Sequence, residues 1–158
     1  MTRIGVLSDT HLRGYDQELA ERLQEVFAGV DLILHAGDLV NLQVLDMLVA
    51  PQVLAVCGNM DDQVVAQSLP SKRVIPVGAF TIGLIHGWGS PMGLAGRVAG
   101  EFQGVDCIVF GHSHRPMNAR QKGVLMFNPG SVSKGFMGSG TVGLITVDQE
   151  LSAQVLKL

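Results

Sequence analysis

The stretch Phe110-Gly111-His112-Ser113-His114-Arg115-Pro116 constrains this chain more than any other, because an apolar run ends there and delivers two imidazoles one residue apart. Three further apolar runs end in similar chemistry, at Asp9-Thr10-His11, Gly37-Asp38 and Gly58-Asn59-Met60-Asp61, and a fourth ends at His86-Gly87. Five strand ends therefore present imidazole, carboxylate and amide groups. A chain with this pattern has to bring buried strands to a common polar edge.

The apolar runs alternate with helical patterns in the first third. Residues 4–8 read as a short strand buried on both sides, and Leu19, Leu23, Val26 and Phe27 follow at helical spacing. Residues 32–36 form the next strand, and Asn41 suits the N-cap of a helix carrying Leu42, Leu45 and Leu48 inward. A third strand over 53–57 precedes a short helix at about 63–68, before Pro70. This βαβαβ order implies a parallel sheet with right-handed crossovers.

The pattern then changes. Residues 73–77 and 80–85 read as strands joined by Gly78-Ala79, whose leading glycine suits a type II′ turn. A helix over about 94–102 has Leu94, Val98 and Phe102 spaced by four but is interrupted by Gly96 and Gly100. Strands over 107–110, 123–127, 141–147 and 152–156 complete a strand-rich half. Parallel units followed by hairpins suggest two mixed sheets packed face to face with helices outside. No linker, repeat or low-complexity segment divides the chain, so one domain over residues 1–158 is expected. The glycine-rich stretch 133–140 should be a mobile loop. Its Phe136 and Met137 leave two readings open, an interface such as that of a homo-oligomer or a fold-back onto the core.

Composition narrows the function classes. With 47% hydrophobic and 16% charged residues the chain is core-rich rather than disordered. A net charge of −3 and a pI near 5.9 leave no strong nucleic-acid footprint. A phosphate-bearing substrate is still allowed, because bound cations can dominate the local field. Cys57 and Cys107 lie in apolar strand-like runs and read as two buried thiols in a reducing compartment, with a disulfide left open. Met1-Thr2-Arg3 leads into a strand without an apolar segment of secretory length. The uncharged stretch 74–85 is broken by Pro76, Gly78 and Gly83 and falls short of the ~20 apolar residues a spanning helix needs. A soluble cytoplasmic protein without a membrane segment is the expectation.

Taken singly, the polar strand ends have bland explanations. Asp9 and His11 can face one side as a chelate requires, or merely cap the next segment. Asp38 and Asn59, each beside a glycine, suit turns, and a lone His86 at a strand end is more often a satisfied polar side chain. Their joint occurrence carries the argument. Four of the five histidines, two aspartates and one asparagine stand just past strand ends, where open α/β sheets build their sites. Seven mixed nitrogen and oxygen donors without cysteine exceed what one tetrahedral ion uses. They suit two divalent ions about 3.5 to 4 Å apart that share one carboxylate. Mn²⁺ suits such mixed ligation, and Zn, Fe or Ni also fit.

In this order, Asp9-x-His11, Gly37-Asp38, Gly58-Asn59-x-Asp61, His86 and Gly111-His112-x-His114 resemble the five motifs of the calcineurin-like metallophosphoesterases. Asn128-Pro129-Gly130-Ser131 resembles a signature of their small, single-domain bacterial and archaeal phosphodiesterases. The resemblance runs from Ile4 to about Val147. It implies an α/β fold in four layers, an αββα sandwich of two mixed β-sheets flanked by helices. It also implies a phosphoester substrate, phosphodiesters foremost, hydrolysed by attack of a metal-bridging hydroxide. The resemblance assigns Asp9, His11 and His114 to one metal, Asn59, His86 and His112 to the other, and Asp38 to both. It further gives Asn59 an amide N–H for a phosphoryl oxygen, and Asp61 the orienting of its neighbours.

Two departures stand out. The position between Asn59 and Asp61, often His in the wider superfamily and a proposed leaving-group acid there, is Met60, which cannot donate a proton. After His86-Gly87, where many small relatives have another His, this chain has Trp88, which suits either a pocket wall or a cover over the metals. His35 reads as a core or supporting hydrogen-bonding residue, and Arg115 either binds substrate phosphate or is solvated. The segment 74–87 also resembles the metallophosphoesterase-like scaffold subunit of the retromer complex, which uses this fold to bind other proteins. That scaffold departs from the metal motifs at the positions of Asp38 and Asn59, and here both are intact.

Overall fold

The computed structural model describes residues 1–133 and 140–158. Phe136, Met137 and most of the expected loop therefore lie outside the described residues. The chain runs β1 (Thr2–Leu7), α1 (Gln17–Val26), β2 (Leu32–His35), a 3₁₀ segment (Leu42–Met47), β3 (Gln52–Ala55), α2 (Gln63–Ser68), β4 (Lys72–Val77) and β5 (Phe80–Ile85). It continues through α3 (Leu94–Ala99), β6 (Cys107–Val109), β7 (Met117–Gln121), β8 (Val124–Asn128), β9 (Thr141–Val147) and β10 (Leu151–Lys157).

Two mixed sheets result, ordered β10-β9-β1-β2-β3 and β4-β5-β6-β8-β7. In the first, β1, β2 and β3 are parallel, and in the second β5, β6 and β8 are parallel. Period-2 alternation turns Ile4, Val6, Leu32 and Leu34 toward Ile82, Leu84, Cys107, Val109 and Phe127 of the facing sheet. The residues between them face outward and are buried again. Leu7 and Ile33 pack on Leu23 and Phe27 of the α1 region, while Ile108 and Met126 pack on Leu94 and Val98 of α3. The sandwich with helices outside expected from the sequence is thus formed. Its open edges are tied across the layers: Arg73 on β4 donates to the Ala55 carbonyl (2.9 Å), and Asn118 and Arg120 on β7 donate to the Ala153 and Leu151 carbonyls of β10.

Several local expectations need correction. The segment after Asn41 is capped as expected, Asn41 Oδ1 accepting from the Gln43 N–H, but it is 3₁₀. Three residues per turn bury Val44 and Met47, leaving Leu42 and Leu45 only partly buried. The helix expected to reach residue 102 stops at Ala99, with Gly100 as its cap. Phe102 packs beyond it. Strand β7 was not foreseen, because Met-Asn-Ala-Arg-Gln lacks both alternation and β-branched residues and lies exposed at an edge. Cys107 is buried, its thiol pushed up to about 12 by burial, but Cys57 is only partly buried, and both are free. No helix among the described residues is long and apolar enough to cross a membrane.

Three strand glycines share one packing device. A Cβ on Gly5 would fall 2.7 Å from the Phe27 ring, one on Gly83 2.8 Å from the Phe102 ring, and one on Gly143 would collide with Phe127. Each ring fills the place of a missing side chain. Phe127 is fully buried between the sheets, so Gly143→Ala should cost about 1–3 kcal/mol through overpacking. Urea unfolding should show a lower midpoint at unchanged m-value. An unchanged or raised midpoint would contradict this packing.

Candidate metal centre

The parallel strands of both sheets point their carboxyl ends at one edge, and the chain leaves each of them through a tight, hydrogen-bonded loop. Asp9 N–H donates to the Gly37 carbonyl (3.0 Å), His11 N–H to the Asp38 carbonyl (3.0 Å), and Gly111 N–H to the His86 carbonyl (3.1 Å). Of the seven non-glycine residues with positive φ among those described, five are Asp9, His11, Asp38, His112 and His114. Such backbone is costly for residues with a Cβ and concentrates where a site demands a particular side-chain direction. Close approach completes the arrangement, since a Cβ on Gly58 would collide with Asp38 and one on Gly111 with Ser8 and Asp9.

All seven side chains singled out in the sequence stand in one cluster. His114, His11 and His86 place Nε2 at 3.1, 3.4 and 3.9 Å from Asp9 Oδ1. Asp38 Oδ2 lies 3.2 Å from His86 Nε2 and 3.8 Å from His11 Nε2, between the two halves of the cluster. Asn59 Oδ1 lies 3.1 Å from both His86 Nε2 and His112 Nδ1. The imidazoles form two pairs, His11 with His114 and His86 with His112, at ring separations of 5.2 and 5.3 Å. Asp9, His11 and His114 form one group able to hold a cation; Asp9, Asp38 and His86 form another. Asp9 is common to both groups. Arg115 makes no hydrogen bond or ion pair with the side chains of this cluster; its backbone N–H is held by the Ser113 hydroxyl.

Proton counting tests whether the cluster fits metal. A carbonyl can only accept, so His86 Nδ1–H donates to the Ala36 carbonyl (2.7 Å) and His112 Nε2–H to that of Gly89 (2.7 Å). These bonds aim the opposite nitrogens, His86 Nε2 and His112 Nδ1, at the Asn59 oxygen, in the way supporting bonds orient metal-binding histidines. Lone pairs thus converge with too few protons among them. Asp9 Oδ1 is wholly buried and, among the described residues, makes no hydrogen bond, although three imidazoles surround it. A cation answers this geometry. Burial alone would push Asp9 and Asp38 up, but the imidazoles beside them hold both below the usual carboxylate range, with the Ser8 hydroxyl also acting on Asp9. The Asp9 carboxylate raises His114, and those of Asp38 and Asp9 raise His86 against its burial.

Supporting residues fall outside the cluster. Asp61 accepts from the Val40 and Gly58 N–H groups (both 2.6 Å) and from Asp38 N–H (3.2 Å), tying two ligand loops together. Burial pushes Asp61 up despite these bonds. Buried Asn128 donates to the Gly111 carbonyl and the Ser113 hydroxyl, bracing the loop of His112 and His114. Ser131 donates to the Asp9 carbonyl (3.0 Å), and Ser8 to Asp9 Oδ2 (2.6 Å). Asn128 and Ser131 were visible in the sequence only as a motif, and Ser8 had no signal beyond its place beside Asp9.

Comparisons with known proteins bear on the family and the fold. The family model described as the calcineurin-like phosphoesterase superfamily domain matches residues 2–150. A protein of Methanocaldococcus jannaschii named a probable metallophosphoesterase is 35% identical, the match covering 98% of this chain and 81% of its own. A solved structure described as a novel archaeal phosphodiesterase superposes with a TM-score of 0.77 at 23% identity, over 98% of this chain and 100% of that one. Vps29 of Entamoeba histolytica in complex with Zn²⁺ superposes at 0.71 and 24% identity, over 99% of each chain. At such identities the two structures speak for the fold alone.

His35 is the fifth histidine and a core residue. It accepts from Gly37 N–H through Nδ1 (3.1 Å), lies 3.2 Å from the Thr10 hydroxyl through Nε2, and is held at about 3 by burial. Its ordinary value is 6.5, so as pH falls from there toward 3 the unfolded chain takes up a proton that the folded chain refuses. Stability is lost across that window. In chelated protein, His35→Gln should flatten the pH dependence of unfolding free energy by up to about 1.4 kcal/mol per pH unit. Urea melts across the window check this, and a slope equal to that of the wild type would contradict it.

Proposed function

The chain belongs to the calcineurin-like phosphoesterase superfamily, and from that premise we propose that it is a divalent-metal-dependent phosphodiesterase built as one domain. The observation that carries this reading is the cluster at the strand ends, with a buried Asp9 oxygen at its centre that has no hydrogen bond among the described residues. In this proposal Asp9, His11 and His114 hold one ion, Asn59, His86 and His112 the other, and Asp38 lies on both. Bound there, two Mn²⁺ or similar ions would supply an activated water as nucleophile and charge neutralisation at the phosphoryl oxygens.

The chain's own residues do the rest. Asn59 turns its oxygen toward His86 and His112, which leaves its amide N–H groups to donate to a phosphoryl oxygen. Met60 N–H donates to Asp38 Oδ1 (2.8 Å) and so fixes the carboxylate with Oδ2 toward His86 and His11. The Met60 side chain is 59% exposed and supplies no proton to a leaving group.

The Vps29 likeness keeps a protein-binding scaffold as the second reading. Because that structure carries zinc, metal binding does not separate the two readings; hydrolysis does. Chelated protein should be inactive on a phosphodiester, and Mn²⁺ should restore turnover. Asp38→Asn should lower it by orders of magnitude while raising the metal concentration needed. Full activity in Asp38→Asn or in thoroughly chelated protein would sink the two-metal proposal, and no turnover with any divalent ion would favour the scaffold.

Met60 generates a separate expectation. A positioned general acid contributes roughly 10²- to 10⁴-fold when the leaving group is a poor one, and Met60 offers none. Rates should therefore depend steeply on leaving-group pKa and favour phosphodiesters and activated esters over alkyl monoesters. Met60→His should flatten that dependence. A leaving-group series on both proteins, under conditions where chemistry limits the rate, is the measurement; a shallow wild-type slope would mean that the proton comes from elsewhere.

A further inference from the structure

A cavity of about 340 Å³ opens beside the cluster and is lined by Asn59, His86, Ile85, Trp88, Lys72 and Glu101 among others. We propose that it receives the nucleoside arm of a phosphodiester, with the nucleobase stacked on Trp88. This rests on the phosphodiesterase reading and names its substrate class. Since Asn59 and His86 belong both to the cluster and to the cavity wall, a phosphoryl group held at the cluster directs one of its ester arms into the cavity. The volume lies at the lower end of the ~300–1,000 Å³ typical of small-molecule sites. A methyl or ethyl arm would leave most of it unfilled.

Trp88 has the properties of a prepared platform. It is 43% exposed, yet its loop is pinned. Arg97 on α3 donates Nε–H and an Nη2–H to the Trp88 carbonyl (3.1 and 2.9 Å), Nη1–H to that of Met92 (3.0 Å), and Nη2–H also to Ser90. Gly87 and Gly89 on either side take positive φ, and the Gly89 carbonyl is the acceptor that orients His112. The aromatic wall and one imidazole of the cluster are therefore held by a single clamped loop. With its backbone clamped, the indole has only its own two side-chain torsions to lose when a planar ring stacks on it. Lys72 and Glu101, 3.1 Å apart and partly exposed, supply a donor and an acceptor for the polar edge of a base or the hydroxyls of a sugar. A cavity meant for an aliphatic arm would have no use for that pair.

Trp88 is the only tryptophan in the chain, so its fluorescence reports on the cavity directly. On Mn²⁺-loaded protein, adenosine monophosphate should quench the emission saturably, with excitation on the red edge of the indole band, while ribose 5-phosphate should not. In parallel, kcat/KM is compared for a dinucleoside phosphodiester and a glycerol methyl phosphodiester. The ratio should favour the dinucleoside by about tenfold or more, fall toward one in Trp88→Ala, and be largely kept in Trp88→Phe. Equal quenching by both phosphates, quenching by neither, or a ratio unchanged in Trp88→Ala would overturn the proposal. If neither ester is hydrolysed, the phosphodiesterase reading fails, and the fluorescence titration alone decides whether a nucleoside occupies the cavity.

Discussion

A carboxylate sealed from water must be met by positive charge or lose its own, and at Asp9 the protein has prepared for the first outcome. Asp9 Oδ1 is buried without a hydrogen bond among the described residues and faces three imidazoles. Isolated burial of an ionised carboxylate would be prohibitive. Protons on His86 and His114 provide one answer, and their raised affinity for protons reflects it. A pair of divalent ions would provide a better one, since together they would also satisfy the lone pairs of His11, Asp38, Asn59 and His112. Metal and protons then compete for the same nitrogens, which ties metal loading to pH.

The rest of the edge is organised to hold that arrangement against its own strain. Five ligand-type side chains sit on left-handed backbone, a conformation that costs energy at each residue. Offsetting it are Asp61, which accepts three N–H groups from two loops, and Asn128 and Ser131, which fasten the His112 loop and Asp9 from the far side. The parallel strands of both sheets supply the rigid base. Their edges are closed by Arg73, Asn118 and Arg120, so the sheets cannot slide apart beneath the cluster.

How much of this was legible in the sequence depended on the range of the cause. Strand β1 and the ligands beyond it could be read because a short apolar run and the polar residues that end it are neighbours in the chain. Helix α2 was found over its full span, and its cap, Asp62, lies directly before it. Strand β7 could not be read, since Met117–Gln121 pairs only because β8 lies beside it. After Asn41 the spacing of Leu42, Leu45 and Leu48 suits a helix that carries them inward, whereas packing buries Val44 and Met47 in a 3₁₀ segment. Bracing at long range was equally hidden. Ser131 reaches Asp9 across 122 residues, and the clamp of Arg97 on the Trp88 carbonyl involves backbone atoms that no side-chain pattern reveals.

The central claim is that seven side chains on five strand ends hold two ions close enough to share Asp38. Low-temperature electron paramagnetic resonance of chelated protein titrated with Mn²⁺ tests it without depending on any substrate. The expected result is uptake of two ions per chain with the multiline spectrum of exchange-coupled Mn²⁺, lost in Asp38→Asn. Uptake of one ion per chain, or of two giving only the six-line signal of isolated Mn²⁺, would contradict the account.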